Sequence, residues 1–158
     1  MSHIILALVF NAVLVTVCGC ALIWGGRPEK IGAAINLAAA GVTTALQLSD
    51  IAYFGPAAYT IVAIDVVVAC GFYWLGVTTI RFWPLWAAGF AGADLFMDCF
   101  GALLPRLPVL LYQSGLGIYA YLALGALAVG TLRLPRDAEP YLRNGSRQSW
   151  LQHMKQKN

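Results

Sequence analysis

The sequence has few charged residues. Asp, Glu, Lys and Arg make up 11% of its 158 residues, against about 25% in an average soluble domain. It has no long polar or single-sign tract, which excludes a disordered chain. Hydrophobic residues instead reach 60%, and the mean hydropathy is +0.73. The composition therefore favours a membrane protein over a soluble one.

Motifs of soluble catalysis and of cofactor binding are also missing. The sequence has no Walker loop, no Gly-x-Ser-x-Gly, no zincin motif and no glycine-rich nucleotide loop. A single residue separates Cys18 from Cys20, whereas two residues separate the cysteines of thioredoxin-like motifs. Cys70 and Cys99 lie in apolar segments, so we expect all four cysteines to serve in packing. We predict no cofactor and no metal, and the sequence does not favour an enzyme.

Five apolar runs of the length that crosses a bilayer dominate the chain. They predict an all-α integral membrane protein, a compact bundle of five transmembrane helices. The third run is rich in β-branched residues, and its length decides for a helix over a strand. The predicted spans are residues 4–24, 31–48, 57–75, 84–104 and 109–132.

Basic residues predict the orientation of these spans, because short cytoplasmic loops carry an excess of Lys and Arg. With the N-terminus outside, nine of the ten basic residues lie on the inner side and only Arg106 lies on the outer side. We expect the protein to lie in the plasma (inner) membrane of a bacterial cell. The net-positive tail, residues 133–158, would then meet anionic lipid, either as a short interfacial helix or as a frayed terminus. Nucleic-acid binding is not indicated, since the basic residues are few and scattered.

Tryptophans are placed in keeping with this orientation. Trp24, Trp74, Trp83 and Trp86 all fall at the predicted inner interface, where amphipathic rings favour the headgroup level.

Three acidic residues, Asp65, Asp94 and Asp98, fall inside predicted spans that contain no Lys or Arg. A charged side chain at such a depth costs about 2.5 to 3.5 kcal/mol on insertion scales. Asn11 and Gln113 are further polar residues within spans. One hypothesis is that the carboxyl groups line a cavity and bind a proton, a metal ion or a cationic substrate. The alternative is that they are protonated acids bonded to neighbouring helices, or contacts for a partner subunit.

A stripe of small residues follows the second span, with Gly32, Asn36, Ala40 and Thr44 recurring every four positions. Such a seam lets helices approach closely, within the bundle or against another protein. Small size and this seam favour an accessory or interaction component, acting with a protein partner or as a homo-oligomer. The alternative is a proton-coupled carrier or channel for a small solute that uses the intramembrane aspartates. A membrane enzyme acting on a lipid or quinone comes third.

Overall fold

The computed structural model describes residues 2–48, 59–103 and 109–157. These residues form helices and no β-strand, so the predicted all-α fold is confirmed. The helices are α1 (Ser2–Trp24), α2 (Arg27–Leu48), α3 (Tyr59–Thr78), α4 (Trp83–Leu103), α5 (Val109–Leu132), α6 (Pro140–Asn144) and α7 (Arg147–Lys157). The β-branched third segment is helical, as its length indicated.

The five long helices form a closed ring in chain order. Each packs on the next one, α5 also packs on α1, and α2 contacts α5 across the ring. Only Gly25 and Gly26 separate α1 from α2, so the chain reverses abruptly between them. We call the end of the bundle where α1, α3 and α5 finish the tail end, because the C-terminal helices follow from it.

Helix α2 begins at Arg27, four residues before the predicted span. The first two predicted spans are separated by the sequence Gly25-Gly26-Arg27-Pro28, because glycine and proline both disfavour the interior of a helix. Proline is tolerated in the first turn of a helix, where its missing N–H has no partner in any case. Glu29 also lies in this first turn, where a negative charge is favourable.

Membrane crossing is supported for one of the described helices. The segment Thr60–Thr78 is long and apolar enough to span a membrane by length and composition. Leu8–Trp24 and Ile118–Leu132 are apolar but shorter. The arrangement of five spans therefore stays a prediction.

The buried core lies in the tail-end half of the bundle. It includes Cys18 of α1, Phe72 and Leu75 of α3, Trp83 of α4 and Leu127 of α5. Trp83 meets Phe72 edge to face, with ring centroids 6.1 Å apart. Each of these residues lies in the tail-end part of its helix, so the close packing seen among the described side chains lies mainly at this end.

The tail is folded and attached to this end. Helix α6 packs on α2 and on α7. The Ile80 amide donates a hydrogen bond of 2.9 Å to the Gly145 carbonyl, and Thr79 forms a bridge with Ser146. Residues 147–157, for which the sequence left an interfacial helix or a frayed terminus open, form helix α7.

Candidate functional site

A cavity of about 330 Å³ lies between the five long helices. All five helices contribute to its wall. Its polar lining residues are Asn11 of α1, Asn36, Thr43 and Thr44 of α2, Asp65 of α3, Asp94 of α4 and Tyr119 of α5. A partly open cavity that brings several polar groups together among apolar helices is the strongest candidate for a binding site in the described structure.

Helical periodicity explains how α2 and α4 present polar groups to the cavity. Asn36, Ala40 and Thr44 are four residues apart and therefore lie on one face of α2. On α4, Ala91 lines the cavity three residues before Asp94 and is buried. The small side chains leave room between the helices, and the polar ones line that room.

Sequence reasoning selected several of these residues separately, and the fold brings them together. Asp65, Asp94 and Asn11 come from three different helices and line the same cavity. Asp98 of α4 and Gln113 of α5 lie outside the residues whose side chains the structure describes.

The small-residue seam has two parts in the structure. Asn36, Ala40 and Thr44 line the cavity. Gly32 lies nearer the tail end, directly beneath the Trp83 ring, where an added Cβ would overlap the indole. Gly32, Asn36 and Ala40 therefore face the interior of the bundle, whereas Thr44 lines the cavity but is exposed.

The rest of the cavity wall is apolar, with Phe10, Leu14, Val68 and Leu124 among its residues. The amide nitrogen Nδ2 of Asn36 is buried and has no hydrogen-bond partner among the described residues. A buried donor without an acceptor costs free energy. The cavity therefore suits a guest that can accept a hydrogen bond from Asn36 and can also bind to the carboxyl groups.

A second polar cluster, at the tail end, was not foreseen from the sequence. The Glu29 side chain is fully buried and accepts a hydrogen bond of 2.9 Å from the Gly26 amide at Oε2. The Trp83 indole N–H donates to Glu29 Oε1 at 3.0 Å, and Arg81 Nε lies 3.5 Å from the same oxygen. Arg81 also donates a hydrogen bond of 2.8 Å to the Leu142 carbonyl, which joins the cluster to the tail.

The sequence does not predict this cluster for two reasons, which concern the expected positions of Glu29 and Trp83. The predicted spans leave Glu29 in the loop between the first two helices, and Trp83 is predicted to lie at the inner interface with the other tryptophans. In the structure Trp24, Trp74 and Trp86 are more than half exposed, whereas Trp83 is only 5% exposed. The available signal was the acidic residue following Pro28, because proline and a carboxylate are both favoured in a first helical turn.

Metal ligands do not cluster in the part of the chain that the structure describes. No group of three His, Cys, Asp or Glu residues among these positions could hold a metal ion. Cys18 is buried in the core, whereas Cys70 and Cys99 are exposed on the outer surface of the bundle.

Comparisons with known proteins add no functional assignment to this geometry. The chain matches no protein-family model, no curated protein and no solved structure.

Proposed function

We propose that this protein is an integral membrane bundle of five spans, with its N-terminus outside and its tail in the cytoplasm of a bacterial cell. The outer surface of the helices supports this placement. Ile23, Val67, Phe96 and Leu132 come from four different helices and are between 61% and 81% exposed. Water would make so extensive an apolar surface unfavourable, whereas lipid accepts it.

Within the membrane, we propose, the protein carries a small cationic solute, in exchange for protons, through its central cavity. One observation carries this proposal: Asp65 and Asp94, from different helices, line a single cavity shared by all five long helices. Ionisable residues inside a membrane bundle commonly mark ion or substrate pathways. A carboxyl group can release a proton as it accepts a cation, which couples the two movements.

The lining chemistry favours a cation over an anion. No Lys or Arg occurs among the described residues that line the cavity. The hydroxyl and amide groups of Asn36, Thr43 and Tyr119 add hydrogen-bonding capacity beside the two acids. The volume of about 330 Å³ is at the lower end of the usual range for small-molecule sites, so the guest must be small.

The accessory function is the second candidate. The small-residue seam of α2, which favoured it in the sequence, gives it less support in the structure. A seam of small residues on the outside of the bundle would offer a docking surface for a partner helix. The described seam instead faces Trp83 and the cavity. Native mass spectrometry of gently extracted protein distinguishes the two functions, because a stoichiometric protein partner would favour the accessory role.

Transport by purified protein in liposomes tests the carrier. Choline is a suitable probe, since it is a small organic cation with a fixed charge, and its hydroxyl group can accept a hydrogen bond. We expect uptake driven by an inside-acid proton gradient, with loss of most of that uptake in Asp65→Asn and in Asp94→Asn. Both substitutions keep the side-chain shape while removing the exchangeable proton.

Asp137→Asn in the exposed tail is the matched control, and its uptake should equal that of the wild type. The carrier proposal is wrong if wild-type liposomes take up no more probe than protein-free ones. It is equally wrong if Asp65→Asn and Asp94→Asn both transport at the wild-type rate.

A further inference from the structure

A shallow, largely open depression lies on the surface at the tail end, away from the central cavity. It is a pocket of about 490 Å³, lined by Arg27, Lys30, Ile31 and Ala34 of α2, by Arg143 and Asn144 of α6, and by the two glycines before α2. Three cations thus converge on one pocket from segments that are more than 110 residues apart in sequence. We call this the basic pocket.

The positive charge of the basic pocket is not cancelled locally. No acidic residue occurs among the described residues that line it. Glu29 is the nearest acid in sequence, but it is fully buried and paired with Arg81 and the Trp83 indole. Arg27, Lys30 and Arg143 are all exposed and can reach a ligand.

We propose that the basic pocket binds the phosphate headgroup of an anionic phospholipid. The inference rests on the membrane placement proposed above, but it is independent of transport through the cavity. A headgroup phosphate is a strong hydrogen-bond acceptor for guanidinium and ammonium donors. Headgroup phosphates of anionic lipids also lie at the cytoplasmic membrane surface, where the positive-inside distribution places these basic residues.

The apolar part of the pocket favours a lipid over a free anion. Arg27, Lys30, Ile31 and Ala34 follow the spacing i, i+3, i+4 and i+7, so they share one face of α2. Cations occupy the first turn of this face, and Ile31 and Ala34 continue it toward the middle of the bundle. A headgroup would meet the cations while its acyl chain runs along the apolar turns. A free phosphate would use only the first of these features.

Native mass spectrometry of the full-length protein in detergent tests the proposal, with phosphatidylglycerol as the probe and phosphatidylcholine as the neutral comparison. We expect the wild type to retain phosphatidylglycerol in preference to phosphatidylcholine. The double variant R27Q/R143Q should lose about tenfold or more in affinity for phosphatidylglycerol, because two cations near the headgroup are removed. The single variant K30Q should lose several-fold in affinity for phosphatidylglycerol, and it leaves Arg143 and Asn144 of α6 in place.

The double variant R136Q/K155Q is the matched control, since it removes two tail cations that do not line the pocket. It should retain affinity within about twofold. Equal loss in R27Q/R143Q and R136Q/K155Q would show only a general charge effect and would overturn the proposal. If R27Q/R143Q proves unfolded by circular dichroism, unchanged affinity in K30Q would overturn it instead.

Two further measurements separate the possible sources of failure. Glycerol 3-phosphate and inorganic phosphate are tested as soluble probes, and binding as tight as that of the lipid would overturn the assignment to lipid. Fractionation of cells decides the membrane placement by itself, so a failure of lipid binding and a failure of the membrane proposal are distinguishable.

Discussion

Glu29 connects three separate parts of the structure. Its carboxylate meets the backbone before α2, the first residue of α4 and the Arg81 side chain that holds the tail. A buried ion pair is not by itself a source of stability, because desolvation opposes the Coulomb attraction. Loss of one partner is nevertheless costly, since the other charge is left uncompensated.

Glu29→Gln should therefore destabilise the protein strongly. The glutamine keeps the shape and can still accept the indole N–H, but it leaves Arg81 without its counter-ion. We expect a loss of about 3 kcal/mol in unfolding free energy, the lower end of the range for breaking a buried pair, because the Arg81 side chain is partly exposed to solvent. Thermal unfolding followed by tryptophan fluorescence measures this. Glu139→Gln on the exposed tail should be neutral, and an unchanged melting temperature in Glu29→Gln would contradict the assigned role.

Close packing around Trp83 gives a second test at the residue scale. Gly32→Ala would place a methyl group against the indole ring, whereas a Cβ at Gly41 of the same helix meets nothing within 4 Å. Overpacking of this kind costs about 1 to 3 kcal/mol. Gly41→Ala should be neutral or slightly stabilising, since alanine is the better helix former. Equal melting temperatures for the two variants would argue against the described contact.

At the scale of elements, one turn at the end of α6 contributes to the attachment of the tail, together with the hydrogen bond from Arg81 to Leu142. Gly145 ends α6 in the left-handed conformation with φ 60°, and its carbonyl accepts the Ile80 amide. An added Cβ would come within 2.6 Å of Pro28 Cγ in the first turn of α2. The turn therefore requires glycine both for its backbone angle and for its contact with α2.

Gly145→Ala should loosen the tail while leaving the five long helices intact. The left-handed conformation and the clash with Pro28 both oppose alanine, with a combined effect of about 1 to 3 kcal/mol. Hydrogen exchange should be faster at the Ile80 amide in the variant and unchanged in the core of α5. Unaltered protection of Ile80 would show that the turn does not hold the tail.

For the whole molecule, the odd number of proposed spans puts the two termini on opposite sides of the membrane. Green fluorescent protein fused to the C-terminus should fluoresce, because it folds in the cytoplasm. A cysteine introduced by Ser2→Cys should react in whole cells with a membrane-impermeant maleimide, beyond any labelling of the wild type, since the N-terminus is proposed to face the outer compartment. An unreactive cysteine at this position together with a fluorescent C-terminal fusion would contradict the five-span arrangement, even if the helical fold is right.

Much of the fold could be predicted because it depends on local properties of the chain. Apolar length decided that the β-branched third segment is a helix, and the paired glycines located the turn after α1. The start of α2 was misplaced because Pro28 is compatible with both a break and a first turn. Tertiary contacts resolve that choice, since Glu29 on this turn reaches Trp83 and Arg81.

Sequence by itself determined that the long apolar segments are helical, that the chain is basic at one end, and that Asp65, Asp94 and Asp98 fall in segments whose sequence contains no Lys or Arg. Only the tertiary structure decided that Asp65 and Asp94 share one cavity, that Trp83 is buried, and that Arg27 and Arg143 meet in one pocket. The physical reason is that composition and periodicity act within a single helix. The meeting of side chains from distant helices depends on how the helices pack, which no local pattern encodes.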